Sequence, residues 1–387
     1  MKDEELRIQI LRFIDCLPVL KSSRDIVQHL REYFPAGAGR LPLPFRLGLS
    51  VSRPSLLTAG AAATLTRHIT GRMARLFIAG ANLEEAFATL GRLEHQGFLA
   101  SVDLLGEATT SQGEADQYTQ RYLDLLQQWK QRLSCPPHLS LKISSLAFPF
   151  DPVDPEGAWR QVRPRLKKIL QTTFSKGGFL NVDMEQYHLR DLILWITQRI
   201  LDEEFPQETA IGVVIQSYLK DSEQVLQRLL RWVSTRGRPI TIRLVRGAYW
   251  DSEIIWAKQQ QWPCPVFTRK AETDASFERL TDQLLENHSK FRVAIATHNL
   301  RSIARAIAKA QELKVPQTHW ECQVLYGMGE TIQRAVREVG IPVRVYTPVG
   351  DLLPGMAYLV RRILENTSHA SFLATSLMGE HPSDVTV

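Results

Sequence analysis

An alternation that repeats eight times constrains this chain more than any other feature. Short runs rich in β-branched and aliphatic residues recur at Leu99–Leu105, Leu139–Ile143, Phe179–Val182, Ile211–Ile215, Ile240–Val245, Val293–Ala296, His319–Leu325 and Val343–Val345. Most gaps carry apolar residues at helical spacing, over Tyr118–Arg132, Trp159–Phe174, Leu189–Glu204, Glu223–Val233, Ala275–Asn287 and Ser302–Leu313. Strand, helix and strand in succession imply parallel pairing through a right-handed crossover. Eight such units suffice for closure, so the pattern predicts an α/β fold, a (βα)8 TIM barrel. The rival is an open doubly wound sheet, which needs a glycine-rich phosphate turn after its first strand. No GxGxxG and no Walker A sequence occurs in the 387 residues.

Residues 1–96 read differently, as a helical segment. Asp3–Leu17 places Leu6, Ile10, Phe13, Ile14 and Leu17 at helical spacing, and Leu41–Pro54 is proline-rich, a linker or extended arm. Leu56–Ala79 reads as a helix and Leu83–Glu94 as another, opened by Asn82 as N-cap. Residues 97–373 are expected to form the barrel and 374–387 a tail. The net charge of +6 is unevenly placed: from Lys21 to Gly80, nine Lys or Arg face only Asp25 and Glu32. That basic stretch is either a solvated helical face or a patch for anionic lipid or another subunit. It lacks the interleaved aromatics of a stacking platform, so no nucleic-acid partner is expected. No apolar run is long enough to span a membrane, and Met1-Lys-Asp-Glu-Glu lacks the order of a signal peptide. Cys16, Cys135, Cys264 and Cys322 show no CxxC pairing, which fits reduced thiols in a cytoplasmic protein.

A barrel of this kind builds its chemistry at the carboxyl ends of its strands. Polar residues stand there in sequence: Glu107, Lys142, Asp183, Gln216, Arg243, Thr297 with His298, Gln323 and Tyr346. The fifth strand, within Pro239-Ile-Thr-Ile-Arg-Leu-Val-Arg-Gly-Ala-Tyr-Trp-Asp251, carries Arg243 and Arg246 just before Gly247. A buried strand tolerates arginine only where it meets an anion or an electron-rich ring; the alternative is an edge strand with solvated arginines. Lys142 and Asp183 are either rim groups or a buried ion pair. Near the end, Arg361, Arg362 and Glu365 fall on one helical face among apolar neighbours, as a surface ion pair or as a fork for a carboxylate. His298 either bonds a cofactor or is a satisfied structural histidine. The histidines show no HExxH pattern, and GxSxG is absent, so neither a metal nor a nucleophilic serine is expected.

Several motifs together resemble the proline dehydrogenase family, in the version that forms the amino-terminal part of bacterial bifunctional proline-utilisation enzymes. They are Asn181-Val-Asp-Met-Glu, Val214-Ile-Gln-Ser-Tyr, Ile242-Arg-Leu-Val-Arg-Gly-Ala-Tyr-Trp-Asp-Ser-Glu, Val266-Phe-Thr-Arg-Lys, Ala296-Thr-His-Asn, Leu325-Tyr-Gly-Met-Gly-Glu and Tyr358-Leu-Val-Arg-Arg-Ile-Leu-Glu-Asn-Thr. The likeness runs in order from about Gly97 to Leu373, and more loosely through the helical segment before it.

The resemblance implies a distorted barrel that binds FAD without a Rossmann fold. It implies oxidation of L-proline to 1-pyrroline-5-carboxylate by hydride transfer to flavin N5, the first step of proline catabolism. Electrons then pass to a quinone, and a 1-pyrroline-5-carboxylate dehydrogenase is the implied partner, with peripheral contact to the inner membrane. Carried over by motif, Lys142, Arg361 and Arg362 hold the proline carboxylate, and Asp183 and Arg243 stand beside the reacting centre. Gln216, Arg243, Arg246, Gly247, Ala248, Thr268, Arg269, Lys270, Thr297, His298 and Asp183 match cofactor contacts. Tyr249, Tyr346 and Glu365 match pocket walls, and Glu107 matches an acidic partner for the lysine. A family version that prefers hydroxyproline has a small residue in place of Tyr346, so the tyrosine implies proline itself. Two positions depart from the family pattern: Arg246 stands where Lys is usual, and His369 where Asn is frequent. The bifunctional members continue into an aldehyde dehydrogenase, so this sequence is read as either a stand-alone enzyme or a piece of a longer one. The alternative readings are another flavin-dependent barrel of the methylenetetrahydrofolate reductase type, or a non-catalytic membrane- or subunit-binding role for the basic segment.

Overall fold

A computed structural model describes residues 77–106 and 109–350, together with residues 25, 28 and 32. It falls into two units, Asn82–Val349 and Met1–Ala81 with Gly350–Val387. The first is described almost throughout; Arg361, Arg362, Glu365, Glu107 and most of the expected N-terminal helices lie outside the described residues.

In the first unit, helix α1 (Leu83–His95) precedes β1 (Leu99–Leu104). The chain continues as α2 (Gln112–Arg132), β2 (His138–Leu141), α3 (Pro155–Ser175), β3 (Phe179–Val182), α4 (Tyr187–Glu203), β4 (Ile211–Gln216) and α5 (Ser222–Arg236). It ends with β5 (Ile240–Val245), α6 (Trp250–Gln260), α7 (Lys270–Glu286), β6 (Phe291–Ala296), α8 (Leu300–Glu312), β7 (Trp320–Leu325), α9 (Glu330–Glu338) and β8 (Val343–Val349). The eight strands pair in parallel in chain order and close, β8 onto β1, from Leu99 opposite Arg344 to Leu104 opposite Val349. The closed barrel expected from the eightfold alternation is the fold observed.

Local chemistry sets the element ends. Asn82 accepts a hydrogen bond from the Glu85 amide at 3.0 Å and caps α1, and Asn299 does the same for Ser302 at the start of α8. Helices α6 and α9 were not distinguished in the sequence. Helix α6 has only two fully buried residues, Glu253 and Ala257, so it shows little of the one-sided pattern that marks a packed helix.

Two different layers flank each strand. One set of side chains, including Val102, Leu139, Leu141, Leu180, Val182, Val213, Ile242, Leu244, Val293 and Val345, is almost fully buried and apolar. Strand side chains alternate between faces, and the alternate set is largely polar, with Ser101 and Asp103, His138 and Ser140, Asn181, Arg243, Gln323 and Tyr346. Hydrogen bonds that cross from β5 to β2 and β3, and from β8 to β1 and β3, put this set in the lumen. A barrel of this type is normally filled with branched aliphatic side chains. Here hydrogen-bonded polar side chains take much of that space, beside Val214 and Ala294 on the same face.

Candidate active site

The lumen and its carboxyl rim bring five side chains together. Lys142 directly follows β2 and precedes a 3-10 turn (Ile143–Leu146), and its Nζ lies 3.0 and 3.2 Å from the two Asp103 oxygens. The Tyr346 hydroxyl lies 2.7 Å from Asp103 Oδ2 and 2.9 Å from Asp183 Oδ2. One hydroxyl carries one proton, so it serves the two carboxylates alternately or as a shared donor. Arg243 Nη1 donates to Asp183 Oδ1 at 2.6 Å, and Nη2 donates to Ser140 Oγ at 2.8 Å. Its guanidinium carbon stands 5.3 Å from the centre of the Tyr346 ring, within cation–π range. Asn181 donates to the same Asp183 oxygen at 3.1 Å.

The electrostatics follow from burial. Asp103 is fully buried and the Lys142 side chain is 25% exposed. Burial pulls the Lys142 amine down, but Asp103 and then Asp183 outweigh it, leaving the amine well above its ordinary value and charged. Tyr118 and Tyr122 on α2 brace this floor from behind. Tyr118 donates to the Leu104 carbonyl at 2.8 Å and Tyr122 to the Ser140 carbonyl at 2.6 Å. Burial, and next the Asp103 charge, push the Tyr118 phenol up to about 12. Two cations and two anions make this cluster electrically balanced.

A second group forms after β5. Arg246 Nε donates to Asp274 at 2.9 Å, Nη1 to Thr297 Oγ1 at 2.6 Å and Nη2 to Ser302 Oγ at 2.9 Å, with the guanidinium over the Phe277 ring. The fork joins α7, β6 and α8, a geometry a lysine in its place would not reproduce. Gly247 has φ of +131°, and a Cβ there would run into the Tyr218 ring; only glycine turns the chain here. His298 Nε2 accepts from the Leu325 amide at 3.0 Å. Arg269 pairs with Glu272 and Lys270 with Asp274 at the exposed start of α7, next to exposed Thr268. Gln216 Nε2 donates to the Glu185 carbonyl at 3.0 Å. Tyr249 is buried and feels the Lys142 charge, and Ala248 is half-buried.

Of the polar residues read at strand ends, Lys142, Asp183, Arg243 and Tyr346 meet in the fold. Gln323 does not join them: it donates to Glu321 at 2.7 Å, itself paired with Arg344. Lys142 and Asp183 are not each other's nearest partners: Lys142 pairs with Asp103, and Asp183 with Arg243. Asp103, next to the last residue of β1, was not singled out in the sequence. The signal was the alternation Ser101-Val-Asp103, two polar residues on one face of an otherwise apolar strand. Among the described residues no group of three or more His, Cys, Asp or Glu is arranged for a metal ion.

The proline dehydrogenase model matches residues 86–375, and the model of the proline utilization A N-terminal domain matches residues 1–77. The chain belongs to the proline dehydrogenase family. It is 32% identical over 314 residues to the bifunctional protein PutA of Salmonella typhimurium, covering 78% of this chain and 24% of that relative. It is 29% identical over 306 residues to proline dehydrogenase 1 of Bacillus subtilis, covering 79% of this chain and 90% of that one. The proline utilization A structure from Bdellovibrio bacteriovorus, inactivated by N-propargylglycine, superposes with a TM-score of 0.85 at 34% identity, covering 100% of this chain and 40% of its own. The chain thus spans about a quarter of the length of its bifunctional relatives. Within this family, the Lys142, Asp103, Tyr346, Asp183 and Arg243 cluster occupies the end of the barrel where the fold builds its chemistry.

Proposed function

We propose that this proline dehydrogenase family member oxidises L-proline to 1-pyrroline-5-carboxylate with FAD, in the cytoplasm, passing the electrons to a quinone. The observation that carries the reading is the buried Lys142–Asp103–Tyr346–Asp183–Arg243 cluster at the carboxyl end of a family barrel. The residues present fit a flavin. Gln216 Oε1, Ser217 Oγ and Arg243 Nε are buried with no hydrogen-bond partner among the described residues, and buried polar atoms normally have one. Gln216, Arg243, Arg246, Gly247, Ala248, Thr268, Arg269, Lys270, Thr297 and His298 would hold the cofactor, with Asp183 alongside. When bound, a flavin supplies a two-electron acceptor for a carbon–hydrogen bond next to nitrogen.

The chain's own groups account for the rest. Proline is a zwitterion, and its nitrogen must lose a proton before it forms a double bond to carbon. Lys142 and Arg243 disfavour a further cation beside them, which lowers the cost of that loss. Asp103 and Asp183 offset much of the Lys142 and Arg243 charge, so these two cations alone hold an incoming carboxylate weakly and bias the amine only modestly. Arg361 and Arg362, carried by the family motif, would supply the missing attraction, with Lys142 as third donor and Glu365 holding the arginines. Tyr346 and Tyr249 would wall the ring, and fixing the carboxylate would orient the reacting carbon. The partner is a 1-pyrroline-5-carboxylate dehydrogenase, joined or separate.

The test is a visible spectrum of the purified protein before and after anaerobic addition of proline. A yellow protein bleached by proline is expected; a protein that stays colourless with added FAD refutes the proposal.

A further inference from the structure

Arg243 is held from behind by a chain of buried hydroxyls. Its Nη1 is fixed by Asp183, and its Nη2 by Ser140. Ser140 is fully buried, and its hydroxyl continues to Ser101 Oγ at 3.3 Å. Ser101, also fully buried, lies 3.0 Å from His138 Nδ1. His138 is buried and stacked on the Phe179 ring, centroids 4.4 Å apart.

An arginine only donates, so Ser140 must accept from it. That leaves the Ser140 proton to go to Ser101, and the Ser101 proton to His138 Nδ1. The chain is then polarised in one direction, from the guanidinium to a neutral imidazole carrying its proton on Nε2. Burial first, and next the charges of Arg344 and Arg243, hold His138 neutral, in keeping with the acceptor's part.

We infer that Ser140, backed by Ser101 and His138, is a positioning residue that locks the Arg243 guanidinium in one plane. Two of its three nitrogens are tied to the barrel, and the third, Nε, is buried without a partner among the described residues and so is offered to the ligand. Without Ser140, one hydrogen bond to Asp183 and the face of the Tyr346 ring would be left to hold the fork. Ser140 comes from β2 and Asp183 from the end of β3, so the two hold it from different strands. In proteins, hydrogen bonds of this supporting kind set geometry rather than bind substrate.

The inference rests on the flavin reading above, and its test separates the two. Ser140→Ala, Ser140→Cys and Ser101→Ala are made in the holoenzyme. FAD dissociation constant, flavin reduction potential, and kcat and KM for proline are measured on each. Ser140→Ala is expected to lower kcat ~10-fold or more while KM stays within about twofold, and to shift the flavin potential. Ser140→Cys, near in size and a poor acceptor, is expected to follow alanine; this keeps the test intact if the alanine variant folds badly. In an Arg243→Lys background the Ser140 effect is expected to vanish, because the residue acts through the guanidinium. Unchanged kcat and potential in the Ser140 variants, or full additivity with Arg243→Lys, would overturn the inference. A wild-type protein that binds no flavin would instead overturn the functional reading.

Discussion

Replacing Asp103 by Asn removes one negative charge from the middle of the site without changing its shape. The Lys142–Asp103 contact is 3.0 Å, so its gross Coulomb energy is ~5.5 kcal/mol at an effective dielectric of about 20. Not all of this is lost. The lysine is a quarter exposed, Asp183 still faces it, and asparagine keeps one acceptor oxygen. A net loss of ~2 kcal/mol follows, below the ~3–5 kcal/mol of a one-sided break in a fully buried pair. Thermal unfolding should therefore shift down by ~4–8 °C for a unit of this size. The pH dependence has a fixed sign. A lysine whose folded value is raised contributes stability that is complete below its ordinary 10.5 and is lost only as pH rises through the folded value. The gap between wild type and variant should thus be flat from about pH 6 to 9 and close in strong alkali. With the lysine no longer aimed, KM for proline should rise roughly tenfold, ~1.4 kcal/mol of binding, while flavin content is unchanged. Scanning calorimetry across that pH range, with steady-state kinetics, checks both. Equal melting temperatures, or a gap that closes near neutrality, would refute the reasoning.

Gly247→Ala should lower stability by ~2–4 kcal/mol, since φ of +131° and the Tyr218 ring both exclude a Cβ; urea unfolding reads this directly, and a wild-type midpoint would contradict it. His138 is held well below its ordinary 6.5, so its contribution is present above that value and is lost as pH falls toward the folded one, at most ~1.4 kcal/mol per pH unit. His138→Gln should consequently show a shallower acid loss of stability than wild type between about pH 7 and 5, and parallel curves would count against it. Arg362→Met should raise KM for proline strongly and leave the bound flavin spectrum intact; an unchanged KM removes this arginine from the carboxylate site.

Much of the barrel was legible because both its periods are local. The β5 boundaries matched to the residue, and the Asn82 cap was read correctly, since capping needs only an acceptor three residues from an amide. Helices α6 and α9 were not legible. Helix α9 has nine residues, and α6 buries only Glu253 and Ala257, so neither offers a long periodic stretch. Lys142, Asp183, Arg243 and Tyr346 were found by their nearness to strand ends. Asp103 and Ser140 were not, because a parallel strand is expected to be apolar on both faces and nothing local says which partners two isolated polar residues will meet.

The sequence by itself determined that eight parallel strands would close, where each begins to within two residues, and which residues carry charge near their ends. These properties depend on neighbours a few positions apart, and hydrophobic period and turn chemistry record them. Only the tertiary structure decided who meets whom. Arg243 reaches Asp183 across 60 residues and Ser140 across 103, and Tyr346 reaches Asp103 across 243. Those pairings are set by the stagger of strands around the closed barrel, which brings levels of the lumen into register. No local spacing encodes that stagger; it emerges when the ring closes and the polar faces must satisfy one another.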